Sequence, residues 1–207
     1  MCNLYRMTKG KDEIAHWFDA EDALGGANFG EEVYPGYPGV VIADGKIRQM
    51  NWGFPLVMKG KQGQPLKPKP VNNARTDKLE SIFWRSSFEK RRCLIPVTAW
   101  AEAEGPRGAK TRTWLSCPDA ELFAVAGVWR QSDEWGAVYS MVMTDAVGVA
   151  AQVHTRMPVL LARPDYRSWT SGSPADAREL CGPWLGELSL DRTDQPWSSG
   201  SGQKRLL

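Results

Sequence analysis

The chain is poor in the residues that build metal centres and disulfide frameworks. Among 207 residues there are two histidines and four cysteines, Cys2, Cys93, Cys117 and Cys181. The cysteines are widely spaced with no Cys-x-x-Cys pair, which argues against a zinc site or a disulfide scaffold and makes reduced thiols the expectation. Neither a metal nor a cofactor is called for. Long apolar runs are missing as well, since no stretch approaches the roughly 20 residues of a membrane span, and the amino terminus has polar and charged residues where a signal peptide needs an apolar core. A cytosolic protein without membrane association is expected. Internal repeats are absent. Net charge is only +2, so no strong overall field is imposed.

What is present is an ordinary globular composition, 42% hydrophobic and 24% charged, long enough for one core and short for two. Charge is unevenly placed. Lys59 to Arg92 holds ten basic residues against three acidic, a local balance of +7. Such a segment could follow a phosphate backbone or form a solvated face.

Local patterns sketch an α+β chain. A short strand is expected at residues 3–7 and a helix at 11–20, with Ile14, Trp17 and Phe18 on one face and His16 off it. Asp44-Gly45 between 40–43 and 46–52 is a strong hairpin signal. Residues 53–70 read as a surface loop rich in Pro, Gly and Lys. Asp77 with Glu80 three residues on looks like a helix cap, followed by Leu79, Ile82 and Phe83 as an apolar face and a basic end at 90–92. One strand over 93–103, then strands over 111–116, 121–129 and 137–144, are spaced like neighbours in an antiparallel sheet or barrel. Short helices are expected at 146–153, 164–170 and 174–185. The segment from Ser189, ending in a Ser/Gly-rich stretch, reads as a poorly ordered tail.

The stretch with the most chemical content is Met1-Cys2. Removal of one methionine places an amine and a thiol on adjacent carbons, so an aldehyde captured as an imine can be closed by sulfur into a five-membered thiazolidine. The free α-amine titrates near ~7.7–8.0 and the thiol near ~8.5, so both are usable near neutrality.

Several separated pieces then fall into register. Met1-Cys2, Asn73-Ala74-Arg75, Arg92-Cys93-Leu94-Ile95-Pro96 leading to Glu102, and His154-x-Arg156-Met157-Pro158 occur in the order and rough spacing of the SOS-response-associated peptidase family, the abasic-site processing proteins. Trp52-Gly53-Phe54 and Trp169 also resemble family positions. The resemblance runs from residue 1 to about 185.

It implies a single domain over residues 1–188 built on a distorted, mostly antiparallel β-barrel with flanking helices, with 189–207 as a flexible tail. It also implies a monomer with a basic cleft for single-stranded DNA, in which Cys2 captures an abasic site as a covalent crosslink after Met1 is removed. The family name reflects proposed self-cleavage of that methionine, and lyase-type reversal of the crosslink belongs to the same expectation. By position, Asn73 looks like the residue orienting Cys2 or a sugar oxygen. Glu102 looks like the acid/base at the new amino terminus, and His154 like the proton donor to the opening sugar. Arg75 and Arg156 are expected to hold phosphates, and Trp52 to offer a stacking surface for bases. Asn3-Leu4 replaces the Gly-Arg that often follows Met-Cys in the family, and Lys67 and Lys69 are expected to compensate for the lost arginine. A Cys2-dependent peptidase acting on polypeptides and a noncovalent single-strand binder are the alternatives.

Overall fold

The computed structural model describes residues 2–27 and 29–197. Its centre is a closed five-stranded barrel. The strand Gly136–Asp145 pairs with Phe123–Ser132, which pairs with Arg92–Val97, then Pro38–Ala43, then Lys46–Trp52. Lys46–Trp52 returns to Gly136–Asp145 in parallel, Asn51 opposite Val138 and Trp52 opposite Tyr139, and this closes the ring. Every other pairing around the ring is antiparallel.

The hairpin at Asp44-Gly45 forms as its sequence predicts. Both residues have positive φ, 53° and 72°, the combination a two-residue turn needs to match strand twist. Both faces of Pro38–Ala43 are covered, since every residue from Gly39 to Ala43 is buried, and on the partner strand Ile47, Met50 and Trp52 are buried. Gly39 is required for a different reason: a Cβ there would overlap the hydroxyls of Tyr5 and Tyr139, which hydrogen-bond to each other at 2.5 Å inside the barrel.

A second sheet of five strands lies beside the barrel, in the order Ser189–Pro196, Thr111–Ser116, Ala99–Glu104, Tyr5–Arg6, Glu32–Val33. The expected single strand at 93–103 is in fact two. Arg92–Val97 belongs to the barrel and Ala99–Glu104 to the second sheet, with the change of partner at Thr98, whose N–H is bonded to Arg6 O. The supposed tail is corrected too. Ser189–Pro196 is an edge strand on Thr111–Ser116, and Trp197 packs on a small cluster of Leu4, Ala101 and Trp114. Its polar sequence suits an edge strand, which has one solvated side. Residues 198–207, the rest of the expected tail, lie outside the described residues.

The loop expected at 53–70 contains a β-ribbon. Phe54–Leu56 pairs with Lys69–Val71, and a bridge joins Lys59 to Pro65. The helix expected from Asp77 is a 3-10 turn at Thr76–Lys78, with the α-helix confined to Arg85–Lys90. Its supposed cap residues are otherwise engaged: Asp77 is bound by Arg75 and Glu80 by Arg178. Leu79 is buried as expected, whereas Ile82 is 93% exposed and is no part of an apolar face.

The remaining helices form but are shorter than the sequence suggests: Lys11–Phe18, Gly148–Ala151, Tyr166–Ser171 after a 3-10 turn, and Pro174–Glu179. The first ends at Asp19 in the left-handed conformation (φ 49°). The last begins with Ser173 accepting from the Asp176 N–H and Pro174 in the first turn, a reciprocal cap. Arg92 ties this helical layer to the barrel. Its buried guanidinium donates to the backbone carbonyls of Phe88, Trp169 and Gly172. No helix among the described residues is long and apolar enough to cross a membrane.

Candidate active site

One strand organises the site. Along one edge, Gly136–Asp145 takes Asn73–Arg75 in parallel, Met141 opposite Asn73 and Met143 opposite Arg75. Along the other edge its last residues take Arg156–Pro158, Asp145 opposite Arg156. Two motifs about 80 residues apart in sequence thus flank the same few residues. The second sheet supplies the other wall. Tyr5–Arg6 runs antiparallel to Ala99–Glu104, and the Ala101 N–H to Leu4 O bond, 2.9 Å, carries the pairing toward the amino terminus. Cys2 and Glu102 are thereby brought together.

Cys2 is completely buried, and its thiol donates to Leu4 O at 3.4 Å. Burial, with the Glu102 charge adding to it, pushes this thiol well above its usual range. The Cys2 carbonyl accepts two side-chain amides, Asn73 Nδ2 at 2.8 Å and Asn72 Nδ2 at 2.9 Å. Asn73 is 8% exposed, and its Oδ1 has no hydrogen-bond partner among the described residues.

Glu102 is 4% exposed. Burial pushes its carboxyl up to about 7, opposed in part by the charge of Lys110. A carboxyl poised there can take and return protons near neutral pH. His154 is half-buried. Its Nδ1 accepts the Arg156 backbone N–H at 2.9 Å, so the neutral ring carries its hydrogen on Nε2. Burial holds this histidine below its ordinary value, and the charges of Arg156 and Lys110 act in the same direction.

Arg75 and Arg156 converge on one carboxylate. Arg75 grips Asp77 with Nε at 2.9 Å and Nη2 at 2.6 Å. Arg156 lies 3.7 Å from Asp77 and 3.3 Å from Asp145. Lys67 and Lys69 are exposed on the ribbon that leads into Asn72-Asn73.

Trp52 is a correction. It is fully buried, its indole N–H donating to Asn72 O at 2.9 Å and its ring edge-on to Tyr5 at 5.0 Å. It cannot stack with a base. The barrel closes at Trp52, so the side chain must fill the interior.

Two residues were missed by sequence reasoning. Asn72 precedes the recognised motif and carries no signal of its own. Lys110 closes the turn between Ala99–Glu104 and Thr111–Ser116, and only that hairpin brings its charge to both Glu102 and His154.

The fold and site define a β-barrel protein whose second residue, Cys2, is buried near the Glu102 carboxyl and held at its carbonyl by two side-chain amides. The family model for SOS response associated peptidase (SRAP) matches residues 1–193, and the chain belongs to that family. Among curated relatives, the abasic site processing protein YoqW of Bacillus subtilis is 24% identical over 193 residues, covering 85% of this chain and 83% of its own. The abasic site processing protein YMR114C of Saccharomyces cerevisiae is 29% identical over 144 residues, 68% of this chain. The match spans only 38% of that yeast protein's length. Crystal structures share the fold. A protein from Bordetella bronchiseptica superposes with a TM-score of 0.78 at 21% identity, over 93% of this chain and 99% of its own. One from Bacteroides thetaiotaomicron gives 0.76 at 18%, over 92% and 91%.

Proposed function

We propose that this protein processes abasic sites in single-stranded DNA by capturing them covalently on Cys2 once Met1 has been removed. The observation that carries the reading is the convergence on Cys2 of Asn73 and of a buried carboxyl poised at about 7. The named relatives point to the same substrate.

In this reading His154 assists proton transfer at the sugar ring oxygen as the deoxyribose opens to its aldehyde. The Cys2 amine attacks C1′, and Glu102 in its acid form protonates the departing hydroxyl, so one water leaves and an imine remains. The Cys2 sulfur then bonds to C1′, the thiol proton passes to the former imine nitrogen, and the ring closes as a thiazolidine. Aldehyde plus aminothiol gives thiazolidine plus water. A thiol held protonated by burial makes the amine the first nucleophile and sulfur the second. Holding both partners in one cleft replaces a bimolecular condensation with a positioned one. Removal of Met1 by the protein itself would use the same Glu102 as base toward water, and reversal of the crosslink would run the steps backward.

The test is a denaturing gel of processed protein with single-stranded DNA carrying one abasic site, beside intact DNA and a Cys2→Ala variant. A shifted band that needs both the abasic site and Cys2 is expected. No band from protein with a confirmed amino-terminal cysteine would sink the reading and favour a noncovalent binder.

A further inference from the structure

Consecutive residues in a strand point to opposite faces, yet the side-chain amides of Asn72 and Asn73 both reach the carbonyl oxygen of Cys2. The reason is a break in the backbone pattern. Lys69–Val71 pairs in the ribbon and Asn73–Arg75 pairs with the barrel, and Asn72 lies between the two strands, in neither. Its own carbonyl is held from two sides, by Trp52 Nε1 at 2.9 Å and by the Met141 N–H at 3.0 Å. The base of the side chain is therefore anchored to the barrel beside the place where the barrel closes.

The two amides divide the work. Asn72 uses its Nδ2 twice, toward Cys2 O at 2.9 Å and toward Asn3 Oδ1 at 3.1 Å. Asn73 gives one bond to Cys2 O and keeps its buried Oδ1 without a partner among the described residues. Asn73 thus keeps a buried acceptor for a reacting group. Asn72 has both side-chain N–H groups engaged.

We propose that Asn72 is a positioning residue for Cys2: bonded to Cys2 O and Asn3 Oδ1 and anchored to the barrel, it fixes the orientation of the Cys2 main chain and so aims the amine and thiol. The proposal rests on the reading that Cys2 captures an aldehyde. It also explains how this chain accommodates Asn3-Leu4. Asn3 supplies the second acceptor for Asn72, and Leu4 is buried in the small cluster with Ala101 and Trp114. Neither residue is spare.

The experiment uses the processed full chain and two aldehydes, an abasic single-stranded oligonucleotide and free glycolaldehyde, followed under single-turnover conditions by gel and by the mass gained, aldehyde less water. The variants are Asn72→Ala, Asn72→Leu, which keeps the bulk without a donor, and Asn3→Ala, which leaves the Asn72 bond to Cys2 in place. Loss of one such bond predicts a saturating rate about two- to tenfold lower for both Asn72 variants with either aldehyde. The oligonucleotide concentration at half-saturation stays at the wild-type value, and Asn3→Ala stays nearer wild type than either. Wild-type saturating rates in both Asn72 variants overturn the proposal, as does a rise in half-saturation with the rate unchanged, which would make Asn72 a DNA contact. If wild-type protein takes up glycolaldehyde but not the abasic strand, the DNA reading fails, and the glycolaldehyde rates of the variants still decide the role of Asn72.

Discussion

Glu102 is where the physics of single residues is most exposed. A carboxyl that is 4% exposed and pushed up to about 7 binds its proton more tightly in the fold than in the unfolded chain, where it titrates near ~4.3. The sign follows. Its contribution to stability is fully present below the unfolded value and is lost as pH rises through about 7. Glu102→Gln keeps the shape of the protonated form at every pH. We therefore expect the unfolding free energy of the variant, relative to wild type, to be lowest near pH 4 and to rise by about 1–3 kcal/mol by pH 8.5, with the thermal midpoint moving the same way. A stability gap that stays constant across this range, measured by calorimetry, would remove the case for a perturbed carboxyl. Under the proposed function the same substitution takes away the acid/base, so capture should slow as the fold gains stability.

Cys2 was legible as a candidate from its own chemistry, and Asn73, Glu102 and His154 became candidates through the resemblance of their motifs, taken together, to a family. The same resemblance misplaced Trp52, since an indole beside a motif looks the same whether it faces solvent or the barrel interior. Asn72 and Lys110 were invisible for the converse reason. Their relation to the site comes from backbone partners far along the chain, not from any local pattern.

At the scale of elements, the Asp44-Gly45 hairpin could be read because turn chemistry and alternation are local. The Ser189–Pro196 strand could not, because its polar sequence is that of any solvated segment until Thr111–Ser116 is alongside it. The division of 93–103 at Thr98 was hidden because both halves are apolar and extended, and only their partners differ. The strand Gly136–Asp145 shows what such long-range pairing achieves, by flanking itself with Arg75 and Arg156. Both arginines are turned to Asp77, whose carboxyl is held below its usual range first by the Arg75 hydrogen bond. A phosphate at this place must compete with that carboxylate. Asp77→Asn should tighten binding of intact single-stranded DNA about threefold to tenfold at low salt, as measured by fluorescence anisotropy, because two cations are released to phosphate contacts. Little stability is at stake in an exposed pair of this kind. Unchanged or weaker binding would mean that Asp77 positions the arginines rather than withholding them.

Across the whole molecule, the basic stretch from Lys59 to Arg92 leaves the rest of the chain with a net charge of −5. The fold places the first part of that stretch on a ribbon whose return strand, Lys69–Val71, runs directly into Asn72 and Asn73. Between Gly53 and Pro70 there are four lysines and no acidic residue, so the ribbon presents charge of one sign next to the segment that carries Asn72 and Asn73. Under the proposed function, capture separates into two parts with different responses to salt. Strand binding should weaken as salt rises, because each neutralised phosphate releases a counterion, at about 0.7 of a logarithmic unit per contact for single strands. Thiazolidine closure inside the buried site should not, since it involves no long-range charge. Reversal of both ribbon lysines, Lys67→Glu with Lys69→Glu, should raise the DNA concentration at half-saturation at least tenfold in low salt. The salt slope should become shallower by roughly 1.4 if both lysines meet phosphates. The rate at saturating DNA should remain that of the wild type, because Cys2, Asn73 and Glu102 are held by the barrel and the second sheet rather than by the ribbon. A fall in the saturating rate with the slope unchanged would instead place the ribbon's influence on the geometry around Asn72, and the lysines would have no part in holding the strand.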